Sequence, residues 1–304
     1  MRLLLLANPE ASAYKRVKLD AVAGQLAGEH EVTMVRTEER GHATFLAREA
    51  AAGGIEGVVV LGGDGTINEV ANGLVRSGTA LAVLPGGMTN VFARTIGTPR
   101  SLPKAVKRVL GALALGSVRQ VGLGSVDGRY FLCHVGIGYD AATVARVEGQ
   151  ARFKPYAGQA LFLWTALTTW LRHYDRRQPH FAVHHGPDDV VEGFFTIVQN
   201  TNPYTFLGSR PLDVAPEATL ERALTAITFC SLDLRLTVSS IGAALRGRPE
   251  SLPQEAGLAY RTDLSQLSVV GHGPFPYQAD GDFLGEVESL ELRHEPGVLR
   301  LVMP

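Results

Sequence analysis

Cysteine is scarce in this chain. Cys133 and Cys230 are the only two among 304 residues, far apart and without a C-x-x-C spacing. They read as buried thiols of a reducing compartment, which argues against a disulfide scaffold. A block of basic residues is also missing, because 29 Lys and Arg are balanced by 30 Asp and Glu. A polyphosphate backbone is held through many cationic contacts, so no nucleic-acid partner is expected. There is no Gly-Lys-Ser/Thr and hence no P-loop. Internal repeats and low-complexity tracts are absent as well. The opening MRLLLLANPE stops being apolar at Asn8-Pro9, too early for the h-region of a signal peptide. It reads as a first buried strand, in a protein expected in the cytoplasm.

What the chain does have is apolar residues at 45% and a length that suits two domains. Short apolar runs alternate with helical patterns through the first part. Strands are expected at Leu3–Ala7, Val32–Val35, Val58–Leu61 and Leu81–Leu84. Helices are expected at Val17–Leu26, Ala43–Ala52, Ile67–Val75 and Pro103–Leu115. This is the α/β pattern of a parallel sheet covered on both faces, which binds ligands at the carboxyl ends of its strands. Residues 1–119 form that domain. From about residue 120 the pattern becomes β-rich, beginning with a hairpin at Asp127-Gly128 and continuing in short runs to residue 294. Two helical segments interrupt it, at Gln159–Tyr174 and Ser239–Leu245.

The segment VVVLGGDGTINEVANGL, Val58–Leu74, carries the chemistry. Gly62, Gly63 and Gly65 permit a sharp turn and bring amide groups close to a ligand. The following helix aims its positive end at the same place, which suits phosphate. Asp64 would repel a bare phosphate. It makes sense beside a divalent cation, or as the acceptor of a proton from an attacking hydroxyl. A plain strand-to-helix turn capped by Asp64 or Thr66 is the alternative.

GGDGTINEVANGL resembles the nucleotide-binding signature of the diacylglycerol kinase catalytic family, shared with sphingosine kinases and bacterial lipid kinases. Further blocks match in order: Asn8-Pro9, Thr37 with Gly41-His42-Ala43, LPGGMTNVFAR, GIGYDA, LGSRPLDVAPEATL and QADGDFLGE. The resemblance covers nearly the whole chain. It implies a Rossmann-like N-terminal nucleotide domain, to which residues 295–304 return, a C-terminal β-sandwich domain over residues 120–294, and an active cleft between them. It further implies ATP contacts from Asn8, Thr37, Gly62, Gly63, Asp64, Gly65, Thr66, Ile67, Asn68, Gly87, Met88 and Thr89, with Glu69 supporting the loop. Asp280 and Asp282 fall in the late catalytic Asp-Gly-Glu motif, where Asp282 replaces the family's Glu. Mg²⁺ is expected at Asp64, and Glu221 is the one candidate for a structural metal.

The departures are Met88 and Val91 in the second signature, Gly122 and His134 at polar family positions, and Glu221-Arg222-Ala223 where the family has Asp-Gly-Leu. The implied activity is ATP-dependent phosphorylation of a lipid hydroxyl, diacylglycerol to phosphatidic acid, with a nucleotide-binding pseudokinase or an NAD kinase as alternatives. The implied partner is a lipid at the inner membrane face, and a homo-oligomer is compatible with the sequence. YAGQALFLWTALTTWLRHYDRR is too short and too polar to span a bilayer, and reads as either a core helix or an interfacial one. If it is interfacial, Trp164→Ala with Trp170→Ala weakens vesicle binding in a sedimentation assay and leaves ATP affinity unchanged. Unfolding of the double variant would make it a core helix.

Overall fold

The computed structural model describes residues 1–11, 19–149, 174–175, 177–233, 239, 242–243 and 257–304. The chain divides into two compact units, Met1–Leu123 with Glu295–Pro304, and Gly124–His294.

In the first unit, strands and helices alternate: β1 (Arg2–Ala7), α1 (Leu19–Ala27), β2 (Glu31–Arg36), α2 (His42–Ala52), β3 (Gly57–Gly62), α3 (Asp64–Leu74), β4 (Ala80–Pro85), α4 (Val91–Thr95) and α5 (Leu102–Ala114). The strands lie in the order β2-β1-β3-β4, all parallel. Every residue of β3 and β4 is buried, as strands covered on both faces require. Because side chains alternate, Leu3, Leu5, Val59, Leu61, Ala82 and Leu84 face α1 and α5 in one core cluster. The opposite face carries α2 and α3, which approach closely at Gly73. A Cβ there would come within 2.6 Å of the Thr44 carbonyl oxygen.

The second unit is antiparallel. It holds β6 (Arg129–Phe131), β7 (His134–Gly138), α6 (Tyr139–Gly149), β8 (Phe181–Gly186), β9 (Asp189–Gly193), β10 (Phe195–Gln199), β11 (Thr205–Leu207), β12 (Arg210–Leu212), β13 (Leu224–Phe229), β14 (Leu258–Leu264) and β15 (Gln266–Ala279). β5 (Val118–Val126) leads into it and β16 (Asp282–Val302) leads out, its last residues pairing with β4 in the first unit. The expected hairpin at Asp127-Gly128 is present, with positive φ at both residues. β15 pairs with β8 along its first half and with β7 at its end, the register breaking between Val270 and Phe275. At that bulge a Cβ on Gly271 would lie 2.3 Å from the Gly273 carbonyl oxygen, so the kink requires glycine. Phe131, Val135, Phe181, Val198, Leu224, Leu267, Phe275 and Leu290 share the core of this unit.

Several expectations need correction. α3 begins at Asp64 rather than Ile67, because first-turn residues need no apolar spacing. α4 and α6 were not anticipated. The first is too short to show a period, and the second lies inside a stretch whose flanks are strands. The expected helix at Gln159–Tyr174 lies outside the described residues apart from Tyr174, and most of Ser239–Leu245 does as well. Among the described residues no helix is long and apolar enough to cross a membrane.

Leu5 is fully buried between β2 and β3. Leu5→Ala is expected to cost about 2–5 kcal/mol, read as a lowered urea midpoint. Leu115→Ala, at a side chain 85% exposed, is expected to change stability by about 0.5 kcal/mol or less.

Candidate active site

In the first unit the expected residues gather at the carboxyl edge of the sheet. β1 has β2 on one side and β3 on the other, so the topological switch point lies between β1 and β3, where open α/β sheets bind ligands. Asn8, just past β1, donates from Nδ2 to Thr66 Oγ1 at 2.8 Å, and its backbone N–H bonds Leu61 O. Thr37 follows β2, with its N–H on Ala7 O.

Gly63 stands at the N-cap of α3 in an extended conformation, and no side chain caps the helix. The turn after β4 meets it backbone to backbone. A Cβ on Gly86 would lie 2.8 Å from Gly62 N, and one on Gly87 would lie 2.8 Å from Gly63 Cα. Gly86 N–H bonds Gly62 O at 2.9 Å. Asn90, in the left-handed region at φ 52°, closes its own turn by accepting from Gly87 N–H and donating to Gly87 O. Around Gly65 an added Cβ would meet nothing within 4 Å. The start of α3 is therefore a close-packed glycine platform, with open space beside its first turn.

Asp64 Oδ1 accepts the N–H of Phe92, in the first turn of α4, at 3.0 Å. Arg94 of the same helix lies within its field. Burial and neighbouring Arg100 push the Arg94 guanidinium below its ordinary value, and Asp64 acts in the opposite direction. The carboxylate in the glycine loop thus joins α3 to α4. Glu69 works in a similar way: its Oε2 accepts Ala43 N–H at 3.2 Å and its carbonyl accepts the Thr44 hydroxyl, holding the start of α2. Ile67 is a core residue. Its side chain is fully buried and its N–H is bonded to Gly63 O. Asn68 is also buried and accepts from Asn72. Met88 is 63% exposed, and Thr89 neighbours it on the turn.

In the second unit, Asp280-Gly281 is a two-residue turn between β15 and β16, with φ 50° and 86°. The Asp280 carboxylate accepts three backbone amides, from Leu132, Cys133 and His134, at 2.7, 2.8 and 3.0 Å. Those bonds commit its oxygens to holding the chain between β6 and β7. Asp282, the first residue of β16, bonds Arg129 at 2.7 Å, both side chains being 27% exposed. Beneath the turn, buried Gln278 accepts Gly281 N–H at 2.8 Å and donates to Asp140 Oδ2 at 2.7 Å. Tyr204 donates its hydroxyl to Asp140 Oδ1 and stacks, tilted, against His134.

Residues 2–126 match the family model of the diacylglycerol kinase catalytic domain. Over those residues the chain is similar to the diacylglycerol kinase catalytic family. It is 29% identical over 305 residues to a Pseudomonas aeruginosa (strain UCBPP-PA14) protein named as a probable YegS-like lipid kinase, covering 100% of this chain and 94% of that one. It is 40% identical over 136 residues to the diacylglycerol kinase of Bacillus subtilis strain 168, covering 44% of this chain and 43% of the relative. A crystal structure of a diacylglycerol kinase from Bacillus anthracis Sterne shares the fold at a TM-score of 0.70 and 19% identity, covering 100% and 97% of the two chains. An NAD kinase from Archaeoglobus fulgidus, solved with ATP, shares it at 0.52 and 10%, covering 99% and 93%. The α/β fold class is thus as expected.

The metal question turns on the donor set. Glu221 is exposed in the turn before β13, beside an Arg222–Asp263 ion pair. Among the described residues no three His, Cys, Asp or Glu side chains cluster as metal ligands would. A cavity of about 470 Å³ lies along β8, β15 and β16, lined by His184, Ser268, Glu291 and Arg293 among others. None of the expected site residues lines it. Sequence reasoning missed Asn90, Arg129, Asp140, Tyr204 and Gln278. Asn90, Asp140 and Gln278 lie inside recognised blocks, whereas nothing in the local sequence marks Arg129 or Tyr204.

His134 is buried, and its Nδ1 has no partner. Burial pushes its imidazole below the ordinary histidine range, against the pull of Asp140 and Asp280. The unfolded chain then binds the proton first, so stability falls as pH drops through the ordinary histidine value of about 6.5. His185 contributes with the same sign, again through burial. His134→Gln is expected to flatten the dependence of urea stability on pH between about 6.5 and 5, by up to about 1.4 kcal/mol per pH unit. An unchanged slope would show that His134 protonates as freely in the fold as out of it.

Proposed function

We propose that the chain is an ATP-dependent lipid kinase that transfers the γ-phosphate to a lipid hydroxyl, with diacylglycerol as acceptor and phosphatidic acid as product. The observation that carries this reading is the glycine platform of Gly62, Gly63, Gly86 and Gly87 at the uncapped start of α3. Backbone amides and a helix N-terminus without a side-chain cap suit a polyphosphate. Phosphoryl transfer leaves little covalent work to side chains, so positioning and charge neutralisation supply most of the acceleration.

In this reading Asn8, Thr37, Gly65 and Thr66 line the nucleotide, Met88 and Thr89 edge it, and Asp64 holds the phosphate-bearing turn in place. The Mg²⁺ that accompanies ATP neutralises charge on the phosphates, and such ions need only one or two protein carboxylates. Asp64 fits that part by its place in the first turn of α3, beside the glycine platform. Asp282 is the better candidate for the base, because it is partly exposed and paired with a guanidinium, whereas Asp280 is occupied by three amides. The acceptor is met at a membrane surface on the cytoplasmic side. A nucleotide-binding pseudokinase is the second reading, favoured by the engagement of Asp64 with Phe92.

Purified protein given Mg²⁺, γ-labelled ATP and diacylglycerol in mixed micelles is expected to yield labelled phosphatidic acid. Label in another lipid alcohol would reassign the acceptor, and no label in any lipid would favour the pseudokinase. Asp282→Asn is expected to lower kcat by about 10²–10⁴-fold with ATP binding retained. Asp64→Asn is expected to lower turnover as well, and Asp280→Asn to lower stability. Gly65→Val is expected to leave the ligand-free melting temperature near that of the parent and to abolish the ATP-dependent shift. A retained shift would place the phosphates elsewhere.

A further inference from the structure

The catalytic reading of Asp282 depends on the Asp280-Gly281 turn that presents it, and both turn residues have positive φ. Below the turn runs a chain of buried polar groups: the Tyr204 hydroxyl to Asp140, Asp140 to the Gln278 amide, and Gln278 Oε1 to Gly281 N–H. Gln278 has no exposed surface and Asp140 is 7% exposed. Space for the contact exists because residue 136 is glycine. A Cβ there would lie 1.6 Å from Asp140 Oδ2 and 2.6 Å from Gln278 Nε2. A buried acid is expensive unless its oxygens are bonded, and here each oxygen has a donor. The direction of every bond is therefore set. Asp140 must accept, so Gln278 must present its NH₂ to it and its carbonyl oxygen to Gly281.

We infer that Asp140 and Gln278 are positioning residues, a buried hydrogen-bond relay that orients the Asp280-Gly281 turn and so aims the Asp282 carboxylate at the lipid hydroxyl. This rests on the reading of Asp282 as the base. Neither residue touches substrate in this role. The relay works through polarity: one acceptor-only group and one amide, in a fixed order. A misplacement of about 1 Å at a reacting group can cost about 10²-fold in rate, while the nucleotide residues on the first unit are untouched.

The test inverts the polarity. Gln278→Glu sets two carboxylates against each other and is expected to lower kcat for lipid phosphorylation by about 10²-fold, with the KM for ATP unchanged. Asp140→Asn alone opposes two amide NH₂ groups, or turns its oxygen from Tyr204, and is expected to lower kcat similarly. The double variant Asp140→Asn/Gln278→Glu restores every bond. The amide introduced at position 140 accepts from Tyr204 and donates to the carboxylate introduced at position 278, which in turn accepts Gly281 N–H. This variant is expected to recover kcat to within about threefold of the parent, a recovery that two independent structural lesions would not give. Gln278→Leu, which cannot bond either neighbour, serves as the reference for a relay lost without repulsion. Full activity in Gln278→Glu and in Gln278→Leu would overturn the inference, as would a double variant that melts like the parent but stays as impaired as the single ones. A parent protein that phosphorylates no lipid would instead overturn the proposed function, and this inference with it. Loss confined to the KM for ATP would also overturn the relay.

Discussion

A carboxylate bonded to backbone amides is the device on which both units depend. Asp64 holds the first turn of α4 through Phe92 N–H, and Glu69 holds the first turn of α2 through Ala43 N–H. Asp280 holds three successive amides between β6 and β7. Each joins segments far apart in sequence at a place where amides have no regular partner. Hydrogen bonds to a charged group contribute about 1.5–3 kcal/mol each, and an amide left unpaired in the interior costs a comparable amount. The acids of the signature blocks are therefore structural fasteners whatever chemistry they also perform. This bears on the charge in the glycine loop: Asp64 is placed there with a helix start and Arg94 to answer it.

Glycine supplies the complementary constraint. At Gly86 and Gly87 the backbone of one turn lies against the backbone of another, leaving no room for a side chain. At Gly136 the missing Cβ is replaced by the carboxylate of Asp140. At Gly73 it lets α2 and α3 touch, bringing Glu69 to the start of α2. These positions need small volume rather than unusual dihedrals. Gly281 is different, since its φ of 86° is what the turn requires. In each case the glycine allows a carboxylate or an amide to reach its partner.

Much of the first unit was legible because its signals are local. Alternating apolar runs and helical patterns located β1 to β4 and α1, α2, α3 and α5. The Gly-Gly-Asp-Gly segment marked its strand-to-helix turn. α4 was not legible, since five residues show no period, yet the amide of its second residue engages Asp64. In the second unit the Asp-Gly pair at residues 127–128 was legible as a turn. The extent of β16 was not, because its alternation is irregular along 21 residues. Asp140 and Gln278 lie 138 residues apart, and no spacing rule could bring them together.

The sequence by itself determined the resemblance to a lipid-kinase family, the alternation of strand and helix, the glycine turns and the identity of the acidic residues, because each is a matter of local pattern. The tertiary structure decided which carboxylates are committed to amides and which remains partly exposed. It also decided that Ile67 and Asn68 belong to the interior, and that a buried glutamine stands under the Asp280-Gly281 turn. The physical reason is the same throughout: a hydrogen-bonding group is defined by its partner. The partners here are backbone amides and buried side chains brought together only by the packing of strands distant in sequence.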